Sequence, residues 1–322
     1  MLRLLTYLSK LSQAVKECTD ALRGNTESIK DDTSSIRKSV PVLESGVEAI
    51  QQEQNLQRHN RLVNWISSTN FPAQQSDFIA RRQEGTGQWF LGSHEFANWL
   101  CNSKGTLFCP GIPGAGKTMI AAIAIDYLLR IVQNDAIGVV YVYCNYKTQG
   151  DQNATSLLAA ILKQLVQARP SLAEPLECLY KQHANRGTRP SLEEIYSALR
   201  LVLTNYSSIY VVVDALDECP EKDNIRWQFL AKLKDLQSRT DLRLMATSRI
   251  IPDIVTKFAG LPMLEVRASE WDIKRFVAGQ IDRLPRCIQG DNKLQKIVED
   301  RIVQAVDGML VSYSVVLSSV SS

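Results

Sequence analysis

Leu8, Val15, Leu22, Ile29, Ile36, Leu43 and Ile50 recur at a strict seven-residue interval. Such a row is one seam of a heptad pattern. Its companion seam begins apolar with Leu11 and Cys18, then turns polar at Asn25, Asp32 and Ser39, and a second apolar stripe returns at Val40 and Val47. Gly24, Pro41 and Gly46 interrupt the run, and a proline inside a helix removes a backbone donor and clashes with the preceding turn. Residues 1–60 therefore read as two or three amphipathic helices that pair with each other, pack on the body of the protein, or serve as a surface for self-association or for partner helices.

The period changes after residue 60. A lead-in segment, 61–104, is expected to pack on the domain at 105–268. Within it Asn70 to Gly92 reads as irregular, broken by Phe71-Pro72 and Gly85-Thr86-Gly87, and a Ser93-capped helix buries Phe96, Trp99 and Leu100. From 105 to 268, short apolar runs alternate with helical segments. Strands are predicted at 106–109, 137–144, 209–213 and 242–249, with a further one at 261–267. Helices are predicted at 119–130, 155–167, from the capping box Ser191–Glu194 to Thr204, and from 224 to 239. Between them, 171–190 reads as a surface helix and a solvated loop in which Arg186 and Arg189 flank a Gly187-Thr188 turn. Alternation of this kind predicts an α/β fold with a mostly parallel sheet. Residues 269–310 read as a small, partial helical subdomain, and the serine-rich tail 311–322 as irregular.

Composition narrows the classes. A charge of +3 against 37 basic and 34 acidic residues shows no basic stripe, so neither a nucleic acid nor a membrane is the expected partner. The seven cysteines carry no Cys-x-x-Cys pair and the three histidines are scattered. That excludes a zinc site and suits a reducing, cytoplasmic setting.

Chemistry concentrates at the strand ends. Gly111-Ile112-Pro113-Gly114-Ala115-Gly116-Lys117-Thr118, with Met119 next, fits G-x-x-x-x-G-K-[ST] between a strand and a helix. In that setting it is a phosphate-binding loop: glycines let the backbone curl so that N–H groups face phosphate oxygens, the lysine reaches the β/γ-phosphates, and the threonine hydroxyl ligates Mg²⁺. The run Ile209 to Val213 ends in Asp214, a carboxylate for the same Mg²⁺. Asp217 and Glu218 come close enough behind it to orient or deprotonate an attacking water. Arg249 ends the strand 242–249 and is a candidate sensor of the γ-phosphate. ATP or ADP with Mg²⁺ is the expected ligand, and GTP stays open.

Taken together, Gly111–Thr118, Asp214-Ala-Leu-Asp-Glu218 and Ala246-Thr-Ser-Arg249 resemble NACHT-type P-loop NTPases of the STAND class. The nearest likeness is the nephrocystin-like N-terminal module of fungal NLR-type proteins, which often carry ankyrin repeats. Phe71–Phe78, Gly85–Trp89, His94–Leu100 and Trp271-Asp-Ile273 also match that subgroup. The resemblance implies an additional-strand P-loop sheet and a signalling switch, as in innate immunity, that self-associates when ATP replaces ADP and hydrolyses slowly. It places Lys117, Thr118, Asp214 and Arg249 at the phosphate, Mg²⁺ and sensor positions, the pair Asp217-Glu218 in the acidic motif, and Gly85–Trp89 beside the adenine. Ala215 stands where many members have glycine. Asp307-Gly308-Met309-Leu310 resembles the family's Asp-Gly-Met-Phe. Beyond it the likeness stops, so the chain is expected to lack a winged helix and repeats, as a short form or a truncated product. The alternative function is a non-hydrolysing, nucleotide-binding adaptor whose role is protein–protein interaction.

Overall fold

The computed structural model describes residues 2–146, 152–279 and 289–306. Asp307–Leu310, Cys287 and the tail lie outside them. The chain divides into two compact units, Met1–Asn60 and Arg61–Ser322.

The first unit is helical from Leu2 onward. It belongs to α1, Leu2–Ile66, a single helix with Pro41 inside it, which corrects the expectation of two or three helices. One proline costs a helix about 3 kcal/mol and a glycine about 1 kcal/mol. These are local penalties, set against long stretches on both sides in which every residue fixed adds a hydrogen bond. A Cβ at Gly24 or Gly46 would meet nothing, so neither glycine marks a close contact. The hydroxyls of Thr19, Thr26 and Thr33 bond back to the carbonyls of Val15, Leu22 and Ile29 at 2.6–2.8 Å, which satisfies them without breaking the helix.

The second unit is an α/β fold. Four parallel strands, β1 (Thr106–Pro110), β2 (Ile137–Tyr143), β3 (Ser208–Asp214) and β4 (Leu242–Ser248), lie in the order β1-β4-β3-β2. Register pairs Phe108 with Ala246, Val211 with Leu244, and Tyr143 with Asp214. All seven residues of β3 are buried, as expected for a strand covered on both faces. β4 lies between the loop-bearing β1 and the acid-bearing β3, the additional-strand arrangement. The 261–267 segment is not a regular strand. It still borders β1 through Phe108 N–H to Pro262 O (3.0 Å), Leu264 N–H to Phe108 O (2.9 Å) and Val266 N–H to Pro110 O (2.7 Å). Pro262 itself has no donor to give.

Around the sheet stand α2 (Phe71–Ala80), α3 (Gln88–Leu91), α4 (His94–Cys101), α5 (Lys117–Ile131), α6 (Ala154–Ala168), α7 (Glu174–His183), α8 (Leu192–Leu203), α9 (Ile225–Arg239), α10 (Pro252–Lys257), α11 (Glu270–Ala278) and α12 (Asn292–Val306). The capping box of Ser191 and Glu194 starts α8, and Ser93 caps α4. α2 and α3 correct the irregular reading of 70–92. Asn70 caps α2 through Ala73 N–H, and Pro72 falls in its first turn, where a missing donor is harmless.

One buried side chain ties α2 to the sheet and to α5. Gln75 donates to Ala122 O at 2.9 Å and accepts from the Tyr143 hydroxyl at the end of β2. Among the described residues no helix is long and apolar enough to cross a membrane.

Candidate functional site

The site lies where β1, β3 and β4 end. The chain leaves β1 at Pro110 and turns through 111–116 into α5, whose first residue is Lys117. Gly114 and Gly116 adopt φ of +77° and +86°, conformations that a Cβ disfavours. Gly111 is required for a different reason. A Cβ there would stand 2.5 Å from Val266 O, so the segment bordering β1 presses directly on the loop. Ile112 and Pro113 form the outer part of the turn, Ala115 is buried, and Met119 lies half-buried in the first turn of α5. The N–H groups that open a helix have no intrahelical acceptor, and the helix dipole adds a partial positive charge there.

Lys117 folds over this loop and donates to Gly111 O at 2.9 Å and Ile112 O at 2.8 Å. Burial pulls its ammonium below the usual lysine range, and the carboxylates of Asp217, Asp214 and Glu218 oppose that shift. Those three acids come from β3 and the turn after it, so the sheet brings them to the lysine.

Asp214 ends β3 with only 2% of its surface exposed. Its Oδ1 accepts from the Thr247 hydroxyl at 2.6 Å. Burial pushes its carboxyl up to about 6, while hydrogen bonds from Thr247 and Thr118 hold the shift back. The Thr118 hydroxyl and the Asp214 carboxylate thus lie within hydrogen-bonding reach of each other. A threonine hydroxyl and one carboxylate form a small set of hard oxygen donors, which fits Mg²⁺, an ion that takes few protein ligands and keeps waters or phosphate oxygens for the rest. Among the described residues no group of three or more His, Cys, Asp or Glu could hold a metal by itself.

After Asp214 the backbone enters the left-handed region at Ala215, φ +52°, which accounts for glycine at this position in the resembling sequences. The Ala215 N–H donates to Thr247 Oγ1 at 2.9 Å, so one hydroxyl holds both the carboxylate and the turn behind it. The next residues carry Asp217 and Glu218 towards β4. Arg249, just past β4, donates its N–H to Asp217 Oδ1 at 2.9 Å and sets its Nε 3.1 Å from Oδ2. Its Nη2 lies 3.8 Å from Glu218 Oε1. Glu218 Oε2 also accepts the Tyr146 N–H at 3.2 Å.

The sequence assigns no role to two residues at this site. Thr247 is there only part of a strand end, and nothing singles out its hydroxyl. Arg226, on α9, is 3% exposed and donates from Nη2 to Asp217 O (2.7 Å) and Cys219 O (2.9 Å), and from Nη1 to Glu221 Oε1 (2.8 Å). It fastens from behind the turn that carries both acids. An arginine five residues after Glu221 is ordinary in sequence, and only its burial marks it.

Gly85–Trp89 runs beside α5: a Cβ at Gly87 would stand 2.5 Å from Ile123 Cδ1. Asp272 of α11 accepts from Gly87 N–H at 3.0 Å and from the Trp89 indole at 2.8 Å. The Trp89 ring packs edge-on against Phe90. Arg186 is exposed, and Arg189 is engaged elsewhere. Arg189 donates to Trp65 O and lies over that indole.

Residues 85–249 match the family described as "Nephrocystin 3, N-terminal", just over half of the chain. No protein of curated function matches. Among solved structures the chain is similar to the Walker-type ATPase of Pyrococcus abyssi, with 13% identity, TM-score 0.43, 67% of this chain and 62% of that chain covered. It is also similar to AMPPCP-bound DnaA from Aquifex aeolicus, with 13% identity, TM-score 0.38, 71% and 60% covered. A third is the Aeropyrum pernix ORC1 protein in complex with DNA, with 15% identity, TM-score 0.42, 66% and 53% covered. The chain thus spans only part of the length of such structures, 60% of one replication initiation factor and 53% of the ORC1 protein.

Proposed function

The chain belongs to the nephrocystin 3 N-terminal family, and from that premise we propose that it is a NACHT-type nucleotide switch of the STAND class. In this reading it binds ATP or ADP with Mg²⁺, hydrolyses slowly, and couples the nucleotide to self-association through residues 1–60. The observation that carries the reading is the convergence of Asp214, Asp217, Glu218 and Arg249 on the loop that bears Lys117 and Thr118.

The work is divided among these residues. Lys117 exchanges Gly111 O and Ile112 O for the β/γ-phosphate oxygens. Thr118 and Asp214 hold Mg²⁺, which when bound neutralises charge on the phosphates. Glu218, with Asp217, orients a water that attacks the γ-phosphorus. The water's proton passes to the carboxylate or the phosphate, and the bond to the β-phosphate oxygen breaks to leave ADP. Arg249 reaches the γ-phosphate from the end of β4 and stabilises the charge that develops there. Gly85–Trp89, fastened by Asp272, borders the base.

Calorimetric titration with Mg-ATP and Mg-ADP tests the reading. Lys117→Ala is expected to lower affinity at least 100-fold, and unchanged affinity in that variant would sink it. A nucleotide-binding chain whose phosphate release is the same in wild type and in a D217N/E218Q variant is the non-hydrolysing adaptor instead.

A further inference from the structure

We infer that residues 8–50 of α1 pair with the same residues of a second copy of this chain, antiparallel and centred on Ile29. The inference supplies a geometry for the self-association proposed above and rests on that part of the reading.

α1 leaves a long apolar seam uncovered. Leu22, Ile29, Ile36 and Leu43 are 62–67% exposed, and Leu11, Val15, Val40, Val47 and Ile50 are exposed as well. An unbroken helix cannot fold back to cover its own seam, whereas the same helix of a second copy can. A row of large apolar residues on one helical stripe is a surface that association normally covers.

The order of those residues then selects the partner. The apolar positions are mirrored about Ile29: Leu8 with Ile50, Leu11 with Val47, Val15 with Leu43, Cys18 with Val40, and Leu22 with Ile36, each pair summing to the same register. Val42, whose mirror is Lys16, is the one large apolar residue between 8 and 50 that breaks the pattern. Two-fold antiparallel pairing sets residue i against the residue at the mirrored position, so a palindromic pattern closes on itself.

The heptad phase agrees. In the first half, Leu8 and Val15 have apolar companions three residues later, at Leu11 and Cys18, which makes them, with Leu22 one heptad on, a positions. In the second half, Leu43 and Ile50 have theirs three residues earlier, at Val40 and Val47, which makes them, with Ile36 one heptad before, d positions. On either side of Ile29, which meets its own twin, antiparallel pairing therefore stacks each a against a d of the other copy.

Charge disfavours the parallel alternative. In a parallel, in-register pair Asp32 would face its own twin along the seam, a like-charge contact. In the antiparallel register it meets Thr26, and Asn25 meets Thr33. Size is adequate: residues 8–50 extend about 63 Å at 1.5 Å per residue. A contact strip about 10 Å wide then buries about 1,200 Å² in total, within the range of stable specific interfaces.

The test uses the full chain carrying Val40→Cys. Oxidation is expected to yield a covalent dimer whose cross-linked peptides join Cys18 of one copy to the introduced thiol of the other. Sedimentation is expected to give a dimer for the wild type, weakened at least tenfold by Ile29→Asp, which sets two carboxylates against each other at the centre. A monomer at tens of micromolar, a Cys18–Cys18 link, a link within one chain, a dimer without the 18-to-40 link, or a different protein bound along α1 each overturns the pairing. Runs with and without Mg-ATP separate the two ideas. A dimer insensitive to nucleotide, with the predicted link, refutes nucleotide control and leaves the antiparallel pairing standing.

Discussion

Arg249 and Asp217 are joined at two points: the arginine's backbone N–H bonds Oδ1 at 2.9 Å, and its Nε lies 3.1 Å from Oδ2. The side-chain ends differ in exposure, 50% for the arginine and 5% for the aspartate. The carboxylate is therefore the fixed partner and the guanidinium the one free to swing. In the proposed reading a γ-phosphate would compete with Asp217 for that guanidinium, since arginine binds carboxylate and phosphate through the same fork.

Arg249→Ala is accordingly expected to lower single-turnover hydrolysis about 100-fold while ADP affinity stays within about threefold of wild type, because ADP offers no γ-phosphate. Equal losses for ATP and ADP in a binding titration would contradict a sensor role.

Asp214 makes the site dependent on pH. Its folded carboxyl sits at about 6, above the unfolded value of about 3.9, so the native state holds the proton more tightly. Stability without ligand falls as pH rises from about 4 to 6 and is level above. Mg²⁺ needs the ionised form, so the Mg²⁺-dependent part of nucleotide affinity rises up to tenfold per pH unit towards 6 and is flat beyond. Titrations at pH 5 and 7 check this, and Asp214→Asn is expected to abolish the difference.

Arg226→Met removes the donors to Asp217 O and Cys219 O and leaves those carbonyls without them. The expected result is a loss of about 2–3 kcal/mol in denaturant unfolding and at least a tenfold fall in turnover. Nucleotide affinity should change little, because Lys117 and Thr118 are untouched. Loss of affinity equal to the loss of turnover would mean that Arg226 supports the whole fold rather than the acid-bearing turn.

Lys163, on α6, is 8% exposed and donates to Ser67 O at 2.9 Å, Thr69 O at 3.3 Å and Asn64 Oδ1 at 3.5 Å. It satisfies carbonyls just past the end of α1, where the helix has no donors of its own. Lys163→Met is expected to cost about 2 kcal/mol, seen as a lower midpoint in urea. An unchanged midpoint would show that those carbonyls find other partners.

The strand ends and the phosphate loop are legible in the sequence because their chemistry is local. Five apolar residues running into Asp214 mark a buried strand with a carboxylate at its tip, and glycine spacing marks a turn that only glycine makes easily. The capping box at Ser191 is legible for the same reason. Local penalties mislead at two places. Pro41 and the glycines point to a division in a helix that stays whole, and Asn70-Phe-Pro72 points to a break where cap and first-turn proline start α2.

By itself the sequence determined the α/β alternation, the loop at 111–118, the acids at 214, 217 and 218 and the arginine at 249, since each depends on neighbours a few residues away. Tertiary structure alone decided that β4 inserts between β1 and β3. That order sets Thr247 against Asp214 and Arg249 against Asp217, although 33 and 32 residues separate them in the chain. It also decided that Arg226 is buried behind the acids and that α1 runs unbroken with its apolar seam uncovered. Hydrogen bonds between distant segments depend on how strands are ordered in space, and a one-dimensional pattern carries no record of that order.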